Sequence, residues 1–290
     1  MRQIILSNIK NFEPEHIFEC GQCFRWNKEQ DASYTGVTRF GVMNVNKKNN
    51  DVIINGEFVK DGTQIEDEKY IKECIEEYFD LNTDYSSIQK VISKDDVNMK
   101  EAIKFGYGIR ILNQDPWEML ISYIISAANN IPRISRTVEN ISSAYGKKVT
   151  FNSRNYYLFP TPNELAEASV EDLRELNLGF RDKYVHNATQ LAVNGEINLE
   201  KIMSLDYDSA KKELMKLDGV GEKVANCILL FSMKKRGAFP VDTWIKKVMS
   251  ELYEESRNVK KISQFAEDKF GEYGGIAQQY LFYYMRSKLG

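Results

Sequence analysis

Residues 210–253 give the clearest indication of the fold, and their sequence is AKKELMKLDGVGEKVANCILLFSMKKRGAFPVDTWIKKVMSELY. A basic amphipathic helix is predicted to end at Leu217, and a second helix is predicted from about Glu222 to Met233. Between them, Gly219-Val220-Gly221 places two glycines around one apolar residue, which allows a tight turn with exposed backbone amides and no Cβ in the way. The stretch therefore predicts two helices joined by a tight hairpin.

The hairpin is suited to binding a DNA phosphate. Its amides and the positive end of the second helix together favour an anion. Such a contact does not depend on base sequence, which suits a protein that binds DNA at any position. We therefore expect Gly219, Val220 and Gly221 to contact DNA, and we add Lys246 and Lys247 on the next helix. A G-x-G between two helices is by itself often only a turn, so this interpretation depends on its neighbours.

A lysine and an aspartate flank the second helix of the hairpin. Lys223 lies in its first turn, and Cys227 is four residues further on and therefore on the same face. Asp242 follows Pro240-Val241 and precedes the apolar-periodic TWIKKVMSEL, as expected of an N-cap whose carboxylate is fixed by backbone amides. A neutral amine is a nucleophile and a fixed carboxylate stabilises positive charge, so each residue is a candidate for a catalytic role. The alternative is a surface lysine and an ordinary capping aspartate.

Charge is distributed unevenly along the chain. The net charge is −3 and the sequence pI is about 5.7, which alone argues against a nucleic-acid partner. Residues 51–84 contain eleven acidic and three basic residues, whereas residues 210–249 contain nine basic and four acidic residues. A chain with this asymmetry can present a local basic face despite its acidic total. Two solvated faces are the alternative that the pattern leaves open.

The composition predicts a folded protein rather than a disordered or membrane-spanning one. The 290 residues are 42% hydrophobic and 12% aromatic, enough for a substantial core, and the length suggests two domains. No run of about 18 apolar residues occurs, and no cleavage site follows the short apolar opening MRQIILSNIKNF, so neither a membrane span nor a secretion signal is predicted. We expect an intracellular protein, in the cytoplasm or nucleoid of a bacterium or in the nucleus of a eukaryote.

The cysteines do not form a recognisable metal site. There are four, Cys20, Cys23, Cys74 and Cys227. Cys20 and Cys23 form a C-x-x-C, but no second pair completes a zinc site. We interpret them as two ordinary thiols, with a redox pair as the weaker alternative.

Residues 1–98 predict a β-rich domain. The runs FRWNKE, SYTGVTRF, VMNVNKK and DVIINGEF are short and rich in β-branched and aromatic residues. Lys48-Asn49-Asn50-Asp51 and Asn55-Gly56 are interpreted as turns. One acidic amphipathic helix is predicted from Tyr70 to Phe79.

Residues 99–290 predict an all-α domain. Asp115-Pro116-Trp117-Glu118 combines an N-cap, a proline at the first helical position and a capping glutamate. Thr161 to Glu164 and Ser169 to Asp172 repeat this kind of helix start. The expected fold class is α+β: an N-terminal antiparallel β-sheet domain followed by an all-α helix-hairpin-helix domain, with the active site in the cleft.

The combined motif resembles a superfamily of DNA-repair enzymes. LDGVGEKVANC followed by FPVDTW is similar to the helix-hairpin-helix, Gly/Pro-rich loop and aspartate signature of the HhH-GPD base-excision DNA glycosylases. The resemblance implies that Asp242 is required to cleave the glycosidic bond and that Lys223 forms a Schiff base with the sugar. It implies no cofactor and no metal for the chemistry. No cysteine follows Cys227, which excludes the iron–sulfur cluster of endonuclease-III-type members.

Further segments resemble the 8-oxoguanine branch of that superfamily: GQCFRW at 21–26, SAANNIPR at 126–133, LGFR at 178–181 and AQQYLF at 277–282. The resemblance implies a monomeric 8-oxoguanine DNA glycosylase and AP lyase. Such an enzyme acts on duplex DNA by base flipping, Schiff-base formation and β-elimination. Two alternatives stay open: a glycosylase/lyase for oxidised pyrimidines, and a non-catalytic module that uses the hairpin only to bind phosphates.

The same resemblance implies a pocket for the flipped base. The main-chain carbonyl of Gly21 would accept a hydrogen bond from N7–H of the lesion. Gln278 would contact the Watson–Crick edge, and Phe282 would stack on the face of the base opposite Cys227. Gln278 and Phe282 are four residues apart, so they can share one face of a helix.

The resemblance also implies contacts with the rest of the duplex. Phe180 would fill the gap left by the flipped base, and Arg133 and Arg181 would contact the orphaned cytosine. Asn129 and Asn130 belong to the asparagine-rich segment of the family and are expected at the same DNA face.

This chain departs from the family pattern at three positions. Ala128 stands where the family has the first asparagine of its run, and Phe180 stands where tyrosine is common. Trp244 replaces a histidine that contacts phosphate. The first two changes remove polar groups near the opposite base, so we expect a weaker preference for cytosine opposite the lesion.

Overall fold

The computed structural model describes residues 1–60, 62–254 and 256–289. Eight strands occur in this part of the chain, and all of their pairings are antiparallel. Their bounds are Arg2–Leu6 (β1), Trp26–Lys28 (β2), Tyr34–Thr38 (β3), Gly41–Lys48 (β4), Asp51–Lys60 (β5), Thr63–Gln64 (β6), Lys148–Phe151 (β7) and Arg154–Tyr157 (β8). The first six form one sheet in the order β1-β5-β4-β3-β2, with β6 beside β5, which confirms the predicted N-terminal antiparallel sheet.

One predicted turn in the sheet is wrong. Asn55-Gly56 lies inside β5, where Gly56 is paired with Arg2 of β1 on one side and with Met43 of β4 on the other. A Cβ on Gly56 would lie 2.7 Å from the Phe58 ring, so the glycine makes room for that ring. Pairing on both sides outweighs the local turn preference of Asn-Gly. The other predicted turn does join β4 to β5, with Asn49 in the left-handed region at φ 58°.

Helices make up most of the rest of the described chain. Their bounds are Pro14–Glu19 (α1), Glu68–Tyr78 (α2), Tyr85–Ile92 (α3), Val97–Phe105 (α4), Pro116–Ser126 (α5), Ile131–Tyr145 (α6), Pro162–Leu165 (α7), Val170–Glu175 (α8), Asp182–Val193 (α9), Leu199–Ser204 (α10), Tyr207–Leu214 (α11), Glu222–Ser232 (α12), Thr243–Leu252 (α13), Val259–Phe270 (α14) and Gly274–Leu289 (α15). The expected α+β class, a sheet followed by a helical array, is confirmed. Within the described ranges no helix is long and apolar enough to cross a membrane.

The predicted helix starts are confirmed by their hydrogen bonds. Asp115 caps α5 by accepting from the Glu118 amide at 2.9 Å. Thr161 and Ser169 each complete a capping box, α7 with Glu164 and α8 with Asp172. These short-range bonds satisfy amides that the helix itself leaves unpaired.

A short hairpin, β7–β8, lies within the second half of the chain and was not predicted. Its turn contains Asn152 and Ser153, both in the left-handed region at φ 47° and 61°. Val149 and Phe151 of β7 pack with valines of the N-terminal sheet, so the hairpin covers the second face of that sheet. The predicted division of the chain at residues 98 and 99 stays a prediction.

The loop between α1 and β2 is held against the helices by one buried glutamine. Gln22 donates to the carbonyls of Ile17 at 2.9 Å and Arg110 at 2.8 Å. Its side-chain oxygen accepts from the Leu112 amide at 2.9 Å. A fully buried polar side chain is stable only when its hydrogen bonds are satisfied, and these three fix the loop. Gly21 is therefore held in a defined place beside α15.

Candidate active site

The predicted hairpin is present between α11 and α12. Gly219 has φ +80°, and a Cβ there would lie 2.8 Å from the Tyr184 ring, so both conformation and space require glycine. Val220 is buried and its amide donates to the Leu217 carbonyl at 3.1 Å. Gly221 is the N-cap of α12, and a Cβ there would meet nothing within 4 Å. The start of α12 thus opens towards solvent with its first amides free of intrahelical partners.

One cleft beside the hairpin brings together residues from both ends of the chain. Its space is about 360 Å³, counting the part open to solvent. Both predicted catalytic residues and all four predicted base-pocket residues line it: Lys223, Asp242, Gly21, Cys227, Gln278 and Phe282. Tyr123, Phe231, Pro240 and Gln279 complete the wall.

The Lys223 amine is held by α5, the helix that lies beside α12. Its Nζ is 3.5 Å from Ser126 Oγ and 5.3 Å from the centre of the Tyr123 ring. Ser126 donates its own proton to the Tyr123 carbonyl at 2.7 Å, so it can only accept from the amine. Within the described chain Lys223 forms no ion pair, which leaves its amine available in the cleft. Neither neighbour was predicted from the sequence; the only signal was that the mostly apolar helix α5 contains a few polar side chains, among them Tyr123 and Ser126.

Asp242 caps α13 as predicted. Its Oδ1 accepts from the Ile245 amide at 2.8 Å. Among the described residues its other carboxylate oxygen has no hydrogen-bond donor. The cap fixes the direction of the carboxylate and leaves one oxygen for the cleft.

Part of the cleft lining is apolar and closely packed. Burial raises the pKa of the Cys227 thiol, and the neighbouring Lys223 amine only partly opposes this, so the thiol is neutral at ordinary pH. Gly21 has φ +86°, and a Cβ there would lie 2.9 Å from Arg286 Nη1 and 3.2 Å from the Phe282 ring. Any side chain at this position would therefore displace the end of Arg286 and crowd the Phe282 ring, in addition to straining the backbone.

Gln278 is the base-pocket residue whose environment points most clearly to a binding role. Its side chain is 4% exposed, lines the cleft, and its Oε1 has no hydrogen-bond partner. The neighbouring Gln279 differs, because its amide donates to the Cys20 carbonyl at 2.6 Å. A buried acceptor without a partner costs about 1–3 kcal/mol, so its retention points to a group that binds there.

Gln278→Met is expected to stabilise the free protein and to weaken binding of its ligand. Removing the unpaired acceptor should raise the free energy of unfolding by about 1 kcal/mol. The matched change Gln279→Met should lower it, because the Cys20 carbonyl then loses its donor. Denaturant unfolding of both variants checks this. A loss of stability in Gln278→Met would show that its amide oxygen serves the fold.

Comparison with known proteins identifies the family. Residues 4–120 match the family described as 8-oxoguanine DNA glycosylase, N-terminal domain. Residues 121–272, more than half of the chain, match the HhH-GPD superfamily of base excision DNA repair proteins. The chain belongs to the HhH-GPD superfamily.

Individual relatives agree with this assignment. The chain is 33% identical over 240 residues to a probable N-glycosylase/DNA lyase of Methanothermobacter thermautotrophicus. The match covers 76% of this chain and 76% of the relative. It is also similar to the crystal structure of Clostridium acetobutylicum 8-oxoguanine glycosylase/lyase in its apo form. That match has 46% identity and a TM-score of 0.91, over 98% of this chain and 96% of the other. The same enzyme in complex with double-stranded DNA containing cytosine opposite 8-oxoguanine gives a TM-score of 0.92 at 46% identity, over 99% and 96% of the chains.

In this HhH-GPD protein the predicted DNA-contact residues of the α5–α6 turn lie near those of the loop before α9, because Arg181 binds the carbonyls of Ala127 and Ala128. Phe180 is 59% exposed, as a side chain that enters a duplex must be. Arg133 is also exposed, and its amide is capped by Asn130 Oδ1 at 3.0 Å. Asn129 donates to the Ile125 carbonyl at 3.1 Å. The two asparagines therefore shape the turn between α5 and α6 in the free protein, and their contacts with DNA stay predictions.

Arg181 of the HhH-GPD protein is placed differently from the exposed Arg133. It is 4% exposed, and its guanidinium donates to the carbonyls of Ala127 and Ala128, with the Nε–Ala127 bond at 2.8 Å. Burial, and then the charge of Arg133, lower the pKa of this guanidinium. Contact with an orphaned base would require it to exchange these backbone partners, and the contact stays a prediction.

The remaining predicted residues are outside the cleft. Lys246 and Lys247 are half-buried on α13, and Lys247 lies 3.9 Å from Glu251. Their DNA contacts stay predictions.

Cys20 and Cys23 are free and buried, and burial raises the pKa of both thiols, that of Cys20 to about 11. This favours the interpretation of two ordinary thiols.

Proposed function

We propose that this protein removes 8-oxoguanine from duplex DNA with Lys223 as nucleophile, and then cleaves the strand 3′ to the lesion by β-elimination. The observation that carries the proposal is the single cleft lined by the Lys223 amine, the Asp242 carboxylate and the unpartnered Gln278 amide oxygen. All of these groups come from one chain, so a monomer suffices. A duplex substrate implies work in the nucleoid of a bacterium or the nucleus of a eukaryote.

The chemistry follows from the two fixed groups. The flipped nucleotide places its C1′ between them. As the glycosidic bond breaks, the base leaves with the bonding electrons and takes up a proton, and Asp242 stabilises the positive charge that develops on the sugar. Once deprotonated, the Lys223 amine forms a bond to C1′; one of its protons then moves to O4′ as the C1′–O4′ bond breaks, which opens the ring and gives the protonated Schiff base. Removal of a C2′ proton then expels the 3′ phosphate.

Recognition of the lesion rests on the base-pocket residues that line the cleft. N7–H of 8-oxoguanine donates to the Gly21 carbonyl, whereas guanine has a lone pair at N7. The unmatched carbonyl disfavours guanine by about 1–3 kcal/mol, so further contacts must contribute. Gln278 supplies an acceptor for the Watson–Crick edge, and the ring of Phe282 and the neutral thiol of Cys227 offer stacking surfaces.

The substrate is tested by single-turnover excision from duplexes that carry either 8-oxoguanine or an oxidised pyrimidine. Excision of 8-oxoguanine should be at least about a hundredfold faster, since the Gly21 and Gln278 contacts each distinguish the bases. Faster excision of the pyrimidine would replace the proposed substrate with the alternative. Binding without excision of either base would support a non-catalytic module.

The base opposite the lesion is expected to matter little. Ala128 and Phe180 offer no polar side-chain atom to that base. Excision rates opposite cytosine, adenine, guanine and thymine should therefore agree within about threefold. Ala128 has φ +49°, a conformation that asparagine tolerates, so Ala128→Asn should fold normally and raise the preference for cytosine. A strong cytosine bias in the unaltered protein would contradict this expectation.

A further inference from the structure

We propose that Arg136, together with Asn177, binds a backbone phosphate of the undamaged DNA strand, next to the orphaned base that Arg133 is predicted to contact. This inference rests on the proposed function, because it takes duplex DNA as the substrate. A groove of about 720 Å³, counting the part open to solvent, runs between the start of α6 and the loop before Phe180. It is lined by Asn130, Pro132, Arg133, Arg136, Thr137 and Asn177.

The two arginines of the groove have no counter-charge. They lie three residues apart on α6 and therefore on neighbouring turns of one face, and both are exposed. Neither forms an ion pair or a side-chain hydrogen bond with another described residue. Glu139 is the one acidic residue of α6, and it pairs with Arg25 at 3.2 Å. Two adjacent unpaired guanidinium groups favour an anion, and the planar guanidinium matches phosphate well.

The far wall of the groove is fixed in place. Asn177 is in the left-handed region at φ 71°, and its side chain lines the groove. Asn140 of α6 donates to the Leu176 carbonyl at 3.3 Å, which ties this loop to the helix. The buried Arg181 bonds the other end of the loop to Ala127 and Ala128. The backbone of this wall is therefore held in place, and the exposed arginine side chains can reach a phosphate from the fixed helix opposite it.

The position of the groove identifies the strand. Lys223 contacts Ser126 at the end of α5, and Arg181 binds the next two residues of the chain. Phe180 is stacked on Arg181, with 4.3 Å between the guanidinium carbon and the ring centre. Phe180 therefore lies beside the segment that leads from Ser126 to the start of the groove at Asn130. If it fills the gap left by the flipped base, a phosphate beyond it belongs to the strand opposite the lesion.

Salt dependence of binding tests the proposal directly. Each phosphate contact contributes a slope of about −0.9 to a plot of log affinity against log salt concentration. Arg136→Gln should reduce the magnitude of the slope by about one and weaken DNA binding about tenfold at moderate salt. The effect should be equal for undamaged duplex and for 8-oxoguanine duplex, both measured in the Lys223→Gln background. Arg136→Lys keeps the charge and should keep the slope. The matched control is Arg39→Gln, an exposed arginine of the β3–β4 turn near Asp115, at the other end of α5 from Ser126.

Neutral methylphosphonates then locate the contact. When they are placed in the undamaged strand beside the base opposite the lesion, they should lower the DNA affinity of the unaltered protein. They should lower the affinity of Arg136→Gln little further, because that variant has already lost the contact. The proposal would be overturned if the losses of affinity caused by Arg136→Gln and by methylphosphonates of the damaged strand were non-additive, because the contact would then lie on that strand. It would also be overturned if the salt slope of Arg136→Gln equalled that of Arg39→Gln. Binding is measured without turnover, so failure to excise 8-oxoguanine would refute the proposed function and leave this result interpretable.

Discussion

Lys223→Gln is expected to abolish covalent trapping on 8-oxoguanine duplex by borohydride, and to slow base excision by about 10³-fold or more. Glutamine keeps the length of the side chain but has no amine to form the Schiff base. Lys223 lies in the first turn of α12 without an ion pair among the described residues, so the fold should not depend on its charge. Single-turnover excision and gel analysis of the reduced adduct measure the two effects.

The control for this substitution is Lys212→Gln. Lys212 is exposed on α11, the first helix of the same hairpin, and lines no part of the cleft. At saturating protein it should be trapped as efficiently as the unaltered chain. Trapping of Lys223→Gln at the level of this control would show that another amine attacks the sugar.

Asp242→Asn is expected to slow excision by about a thousandfold while the fold is preserved. Asparagine is as good an N-cap as aspartate, so the bond from the Ile245 amide can persist. The charge that stabilises the sugar as the base leaves is lost. Strand cleavage at a preformed abasic site should fall much less, because no glycosidic bond has to break there.

A second capping aspartate serves as the control, because its substitution shows what the change from aspartate to asparagine does to a helix cap outside the cleft. Asp206 caps α11 by accepting from the Ser209 amide at 3.0 Å and lies outside the cleft. Asp206→Asn should leave excision unchanged and should match Asp242→Asn in thermal stability. Equal losses of excision and abasic-site cleavage in Asp242→Asn would assign the aspartate a structural role.

Local sequence signals predicted local structure well. The caps at Asp115, Thr161, Ser169 and Asp242 form as expected, because each bond joins residues within one helical turn. The same holds for the helix predicted from Tyr70, which the structure places at Glu68–Tyr78. In each case the signal and its partner lie close together in the sequence.

Features that depend on distant pairing could not be predicted in this way. Asn55-Gly56 has the composition of a turn, yet strands on both sides hold it extended. The exposed or buried state of Arg181 depends on the carbonyls of Ala127 and Ala128, more than fifty residues away. No periodicity in the chain encodes either contact.

The cleft shows the same division. The helix positions of Lys223 and Asp242 could be predicted from local signals, but their joint catalytic role came from the resemblance to a family. Gly21 and Gln278 come from opposite ends of the chain, and only resemblance to a family placed them together. Ser126 and Tyr123 were missed as neighbours of the lysine because they contact it across two helices.

The central claim is that the Lys223 amine attacks the sugar from which the base departs. The most direct measurement is borohydride reduction of the protein on 8-oxoguanine duplex, followed by nuclease and protease digestion and mass spectrometry of the cross-linked peptide. We predict one adduct, on the peptide that contains Lys223. An adduct on another lysine or on the N-terminal amine, or release of the base with no adduct at all, would contradict it.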